Sequence, residues 1–477
     1  MKKLASNIIY NALYQVFIIL IPIITIPYVS RTLGVHYIGD YSYFSAIILF
    51  LGSFIMFGKN QQGVKVMAQT PQKDRKQVFF DEWIIQILAT VPITIIAIIW
   101  FYIVSDMVSL IIYLPLLLAF SFDISWFYIG IGEVKNVVLR NTIIKIISVF
   151  LIFYFVKSSD DYMIYILINS LGMFFSNIIF FIPLKKYIRF GHAKLKIRIN
   201  NEYLSESMRL ILSQAVVQVY SNLDKPIVGS LSGSEQLAYY SQAQKIARII
   251  LAIVVSLSVV LMPKLVELRS SGENQKMIYL FNKSLKYTTI VSLLFTSLII
   301  VNSVDFVPWF FGPAFKPMIP SMMLSALIIV FISVGGVFGN QYTLSKGEYK
   351  KYTIPLVIGA VLDIVLLFVL APIYNAIGAT MALVLAELGV YLSRLYYVKD
   401  ELNLKLIFKK EYPCYLLFIG ITIIGLLIPI EIQSVFFRMV VRSVSLIVLS
   451  SLILLYTDKA LLNDVKKIWI KIRGRTI

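Results

Sequence analysis

The 477-residue sequence holds one cysteine, Cys414, and two histidines, His36 and His192. A lone cysteine excludes an intramolecular disulfide, and two distant histidines give no metal-ligand spacing, so no cofactor or metal is expected. Charge is scarce as well. Only 14% of residues are charged, against about 25% in a soluble domain. There is no GxxxxGK[ST] run to cradle a nucleotide, and no paired-aspartate motif for a divalent metal and a sugar diphosphate. A primary pump or a membrane glycosyltransferase would need one of these, so both classes are excluded, and no catalytic residue is expected.

Apolar residues dominate instead, at 59% of the chain with a mean hydropathy of +0.83. At about 20 residues per span, this composition predicts an all-α polytopic membrane protein of about fourteen transmembrane helices. Apolar segments lie at about 8–29, 38–58, 83–104, 108–129, 142–157, 163–184, 208–230, 237–262, 286–304, 318–341, 353–371, 376–398, 412–429 and 435–456. Lys2 and Lys3 precede the first, which has no small-residue cleavage pattern and is read as a retained helix.

The formal charge is +19, from 44 Lys+Arg against 25 Asp+Glu. In a soluble chain it would suggest nucleic acid, but here its distribution decides. With the N-terminus inside, the inner segments collect about 33 of the basic residues and the outer segments about three. Both termini are therefore expected to be cytoplasmic, with Lys59 to Lys76, Lys185 to Arg198 and Lys264 to Lys286 in inner loops, and no nucleic-acid partner is needed.

Compared with itself, the sequence repeats. A shift of 199 places Gln15 on Gln214, Pro27 on Pro226, Gly34 on Gly233, Tyr41 on Tyr240 and Ser42 on Ser241. A shift of 215 places GEVK at 132–135 on GEYK at 347–350. Each echo falls at the same topological point of a six-helix half. Because six is even, the halves are expected to form a parallel pseudo-twofold repeat. The expected lobes are 1–190 and 191–405, with helices 13–14 and a basic cytoplasmic tail over 406–477.

Polar residues inside a bilayer are expensive and mark either partners or a wet cavity. The seventh segment carries Gln214, Gln218, Asn222 and Lys225 on one helical face, and the eighth carries Ser241, Lys245 and Arg248 at i, i+4, i+7. These are candidate substrate-binding residues, together with Asn11 and Tyr14 on the first helix. For each, an interhelical hydrogen bond or ion pair is the alternative, with Asp224 adjacent to Lys225. Asp123, Asp363 and Glu387 join Asp224 as candidate coupling or ion-pair carboxylates, and Arg394 lies seven residues after Glu387. Tyr41 and Tyr240 suit either a sugar face or a membrane interface. Arg438 and Arg442 are expected to snorkel to the outer surface.

Three stretches carry a resemblance: 7–46 (NIIYNALYQVFIILIPIITIPYVSRTLGVHYIGDYSYFSA), 123–157 (DISWFYIGIGEVKNVVLRNTIIKIISVFLIFYFVK) and 219–246 (VYSNLDKPIVGSLSGSEQLAYYSQAQKI). They resemble the lipid-linked oligosaccharide flippases of O-antigen and capsule biosynthesis, in the superfamily shared with multidrug exporters and lipid II flippases. The resemblance implies two six-helix lobes around a cavity, alternating access, and a bacterial cytoplasmic-membrane location. It implies as substrate an undecaprenyl-diphosphate-linked repeat unit, whose diphosphate matches the cations of the seventh and eighth segments. It also implies a polysaccharide polymerase and chain-length machinery as partners. A multidrug-type exporter of amphiphiles is the alternative, though cationic cargo would call for an acidic cavity. A membrane-embedded glycan polymerase is a further one, but the large outer loop it would need is missing.

Overall fold

The computed structural model describes residues 2–104, 106–188, 218, 222–428, 430–458 and 461–463, with the backbone alone at 2–19, 257, 259 and 260. Every regular element among the described residues is helical, as a lipid-embedded backbone requires when it must satisfy its own hydrogen bonds. Among the described residues, eleven helical runs are long and apolar enough to cross a membrane, and they hold thirteen of the fourteen expected segments. Two runs hold two segments each: Lys2–Ile55 leaves helical geometry at Gly34, and Tyr349–Val398 at Asn375. Most of the remaining segment, 208–230, lies outside the described residues. The chain is a multi-pass membrane protein. It divides into two compact units, Met1–Ala238 and Tyr239–Ile477.

The first unit contains α1 (Lys2–Ile55), α2 (Gln62–Gln69), α3 (Arg75–Ile103), α4 (Met107–Ala119), α5 (Ser125–Gly130), α6 (Val134–Phe155), α7 (Tyr162–Ile179) and α8 (Asp224–Ser232). Its aromatic core is local: Trp126, Phe127 and Tyr128 of α5 are wholly buried against Phe79 of α3 and Phe180 beyond α7. The opposite surface is apolar and bare, with Ile95, Ile99 and Tyr102 exposed at i, i+4, i+7 of α3, as expected of a face that meets acyl chains. The loop expected to be solvated from Lys59 onward begins differently. Lys59 and Glu82 have fully buried side chains and pair directly. Gln62 bridges them, donating from Nε2 to Glu82 Oε1 at 2.7 Å and accepting from Lys59 Nζ at 3.4 Å. Burial pushes the Lys59 ammonium below its ordinary pKa, and Glu82 pulls it back up.

The second unit holds most of α9 (Ser234–Ser270), then α10 (Asn274–Phe310), α11 (Leu327–Gly336), α12 (Tyr349–Val398), α13 (Leu404–Leu427) and α14 (Val435–Thr457). Helix α10 is its hub because it buries small hydroxyl residues where helices must approach closely. Thr296 donates to the Ala326 carbonyl at 3.0 Å, Thr422 of α13 donates to Ser297 at 2.7 Å, and Asn302 donates to Ser443 of α14 at 3.1 Å. After α11 the chain passes through a π-helical turn, Val337–Thr343. Arg394 of α12 lies over that turn, and a β-carbon at Gly339 would sit 2.9 Å from its guanidinium carbon.

Both echoes of the repeat recur in the backbone. Gly34 has φ 79°, ψ 178° and Gly233 has φ 85°, ψ 170°, a conformation that only glycine adopts without strain. Gly132 and Gly347 share φ 76°. Each closes a Schellman cap: Glu133 N–H bonds Tyr128 O and Gly132 N–H bonds Ile129 O, while Glu348 N–H bonds Thr343 O and Gly347 N–H bonds Leu344 O.

Candidate functional site

In the first unit, Asp224 opens α8 and is buried, and Lys225 beside it is half-buried with Nζ 3.9 Å from Asp224 Oδ1. One turn earlier, Asn222 donates from Nδ2 to Gln218 Oε1 at 2.6 Å. The polar stripe is thus partly self-satisfied, by an adjacent ion pair and an i, i+4 amide bond. Gln214 lies outside the described residues, and the side chains of Asn11 and Tyr14 are likewise not described.

Close to α8, Gly39 of α1 meets the Ser234 carbonyl so tightly that a β-carbon at Gly39 would come within 1.8 Å of that oxygen. Ser234 Oγ donates to Asp40 Oδ1, and Tyr43 shares a hydrogen bond with Ser230 at 3.1 Å. Glycine is required there by backbone approach, a constraint that no composition rule reveals.

Of the two tyrosines that suit a sugar face, Tyr41 is half-buried and Tyr240 is buried. Tyr41 stands edge-on to Tyr165 at 5.0 Å, and Tyr37 stacks on Tyr162 at 4.7 Å. Tyr240, in the second unit, is wholly buried, and its hydroxyl accepts from Gln244 Nε2 at 3.1 Å. Tyr240 has no face free for a sugar or for the membrane interface.

On α9 in the second unit, Ser241 is buried, Lys245 is exposed and Arg248 is half-buried. The Nη2 of Arg248 is buried with no hydrogen-bond partner among the described residues. A buried N–H left unmatched costs about 1–3 kcal/mol, more when charged. On the same helix, Ile246 and Ile250 help to line a cavity of about 400 Å³ bounded by α9, α10 and α14. Its other walls include Phe306, Trp309, Phe436 and Val440. The helix that carries the two cations thus also forms one wall of an apolar recess.

The candidate carboxylates fall into different settings. Asp123 sits where the expected fourth helix breaks between α4 and α5, and its Oδ1 accepts from Ser125 N at 2.9 Å as a local cap. Asp363 and Glu387 are buried on α12, each 3% exposed, and each has a polar or electrostatic contact. Arg394 contacts the Gly335 and Gly339 surface of the second unit. Arg438 and Arg442 do not simply snorkel. Both clamp Asp305 of α10, Arg438 through Nη2–Oδ1 at 2.6 Å and Nε–Oδ2 at 3.1 Å, Arg442 through Nη1–Oδ2 at 2.8 Å. Sequence reading missed Asp305 because its partners lie more than 130 residues away. The available signal was an i, i+4 arginine pair with no local acid.

A family model described as "Polysaccharide biosynthesis protein" matches residues 4–269. The chain is 23% identical over 420 residues to a protein of Escherichia coli (strain K12) named "Putative O-antigen transporter", covering 84% of this chain and 97% of that one. Among solved structures, the lipid II flippase MurJ in an inward closed conformation superposes with a TM-score of 0.69 at 17% identity, covering 95% of this chain and 99% of that one. An inward-facing multidrug resistance MATE family transporter of the MOP superfamily superposes with a TM-score of 0.60 at 12% identity, covering 82% and 96%. At such identities these likenesses establish a common fold.

Proposed function

The chain belongs to the polysaccharide biosynthesis protein family, and from that premise we propose that it is a flippase, carrying an undecaprenyl-diphosphate-linked oligosaccharide from the inner to the outer leaflet by alternating access. The observation that carries this reading is α9. One membrane-spanning helix presents Lys245 and Arg248, with a buried guanidinium nitrogen open to an acceptor, beside an apolar recess. A diphosphate matches the first, because its oxygens accept the fork of an arginine. A prenyl chain matches the second. The headgroup's hydroxyls and charges could not cross hydrocarbon without such a replacement for water. Transport here is non-enzymatic, and a cationic α9 argues against an exporter of cationic amphiphiles.

In this reading the protein lies in the bacterial cytoplasmic membrane with both termini inside, and residues 1–190 and 191–405 act as lobes that rock against each other. The membrane potential, negative inside, favours outward movement of an anion by about 2.3 kcal/mol per charge per 100 mV. Asp224 neutralises Lys225 between cycles, a role supported by their 3.9 Å separation.

Export of the glycan in cells tests the proposal. Lys245→Ala with Arg248→Ala should lower surface glycan at least tenfold, equivalent to about 1.4 kcal/mol in the transport barrier. Protein should still reach the membrane, and lipid-linked precursor should accumulate. Restoring Lys245 and replacing Arg248 by Lys should recover part of the flux. Normal surface glycan from the double variant would refute the assignment.

A further inference from the structure

A polar pocket apart from α9 lies between α10, the end of α13 and the start of α14. Its volume is about 310 Å³. Asp305 of α10 and Arg438 and Arg442 of α14 supply its charge, and Val304 and Leu426 are part of its apolar wall. Two guanidiniums thus face one carboxylate, and positive charge is left in excess. Arg438 lies in the opening turns of α14 (Val435–Thr457), at the positive end of the helix dipole, where an anion is favoured and a cation is not.

The two arginines are spent unequally. Arg438 commits the edge formed by Nε and Nη2 to the two oxygens of Asp305, at 3.1 and 2.6 Å. Arg442 commits only Nη1, which donates to Asp305 Oδ2 at 2.8 Å and to the Val301 carbonyl at 3.3 Å. Its own Nε–Nη2 edge, the side that can meet a phosphate with two parallel N–H groups, donates to nothing among the described residues, and Nε is buried there. Both oxygens of Asp305 are already engaged, so a ligand ammonium would enter an excess of positive charge. Glu431, in the connection between α13 and α14, is exposed and does not line the pocket.

The surroundings identify the source of an anion. Val304 and Leu426 of the wall are exposed, as are Leu427 at the end of α13 and Val441 of α14, so the pocket has an apolar mouth of the kind that meets acyl chains. The end of α13 and the start of α14 set it at one boundary of the apolar span, the depth of lipid headgroups. We propose that this pocket is a binding site for an anionic phospholipid: its phosphate on the Nε–Nη2 edge of Arg442, Arg438 adding charge beside it, and acyl chains over Val304 and Leu426. Zwitterionic lipids are discriminated against because their ammonium finds no free carboxylate in the pocket. The site does not depend on the identity of the transported substrate.

Native mass spectrometry of the delipidated full-length protein in detergent provides the test, with dioleoyl phosphatidylglycerol, phosphatidylethanolamine and phosphatidylcholine added in turn. The tightest phosphatidylglycerol should bind about tenfold more strongly than either of the others. Arg442→Gln should bring all three lipids to within about twofold of one another, and Arg442→Lys, which keeps the charge but not the edge, should fall between it and the wild type. Asp305→Asn, in protein that remains monodisperse, should tighten phosphatidylglycerol binding severalfold by releasing both guanidiniums; weaker binding there would mark the three residues as a purely structural clamp and overturn the proposal. Equal binding of all three lipids by the wild type overturns it, and so does an unaltered preference in Arg442→Gln, which would place the lipid on another basic surface. Inorganic phosphate or soluble glycerophosphoglycerol competing as well as the lipid also overturns it, because the ligand would then be a soluble anion.

Discussion

Replacing Lys59 by methionine should be among the most damaging single changes in the first unit. The side chains of Lys59 and Glu82 are both 0% exposed, so neither charge is solvated, and each relies on the other and on Gln62. Lys59→Met keeps the aliphatic volume but leaves Glu82 charged and buried, with Gln62 Nε2 as its remaining donor in this cluster. Breaking such a pair by removing one partner costs about 3–5 kcal/mol. At roughly 2–4 °C per kcal/mol for a unit of this size, the unfolding midpoint should fall by about 10 °C. Glu82→Gln, which strands the ammonium, should fall comparably. The double variant Lys59→Met with Glu82→Gln removes both charges while keeping an acceptor for Gln62. It should return to within about 1 kcal/mol of the wild type, since a neutral isosteric replacement of a buried pair is often harmless. The assay is the heat-induced loss of the monodisperse detergent-solubilised protein, followed for all four members of the cycle. Additive losses in the double variant would show that the two charges do not depend on each other. Single variants within about 1 kcal/mol of the wild type would show that the site is wet.

Three further outcomes follow from particular contacts. With both termini inside, a cysteine at exposed Lys73 should resist an impermeant thiol reagent added to intact cells, and one at exposed Asp160 should label readily, in a Cys414→Ser background; the reverse pattern would invert the orientation. Asp40→Cys with Ser234→Cys places two thiols where a hydrogen bond now joins the side chains. If transport separates residues 1–190 from 191–405, its oxidation should stop glycan export and reduction should restore it, whereas undiminished export by the crosslinked protein would show that α1 and the start of α9 stay together. Glu401 is pushed up by burial, but hydrogen bonds from Lys346 and Lys351 outweigh that and hold it at about 2. A depressed carboxylate pKa contributes stability that is present above its ordinary value near 4.5 and is lost as pH falls toward 2. The difference in unfolding midpoint between the wild type and Glu401→Gln should therefore be constant from pH 7 to about pH 5 and shrink below it. A difference that does not vary with pH would refute the ion-pair origin.

Sequence alone determined what is local or translationally repeated in this protein. Apolar runs of span length had to become helices, because a backbone in hydrocarbon has no other way to satisfy its hydrogen bonds along one segment. The two echoes predicted equivalent junctions, and Gly34 with Gly233 and Gly132 with Gly347 adopt matching backbones because a positive φ is a property of one residue and its immediate neighbours. The cations of α9 were legible for the same reason: i, i+4, i+7 spacing fixes a face.

Tertiary structure alone decided which polar groups meet across helices. Lys59 looked like a solvated loop lysine until Glu82, 23 residues on, came to lie against it. Arg438 and Arg442 looked like surface residues until α10 brought Asp305 between them. Tyr240 looked available until packing closed over it. Helical periodicity says which side of a helix a residue takes. It does not say which helix stands opposite, since that depends on how all the spans share their small and hydroxyl-bearing faces, as α10 does with three neighbours at once.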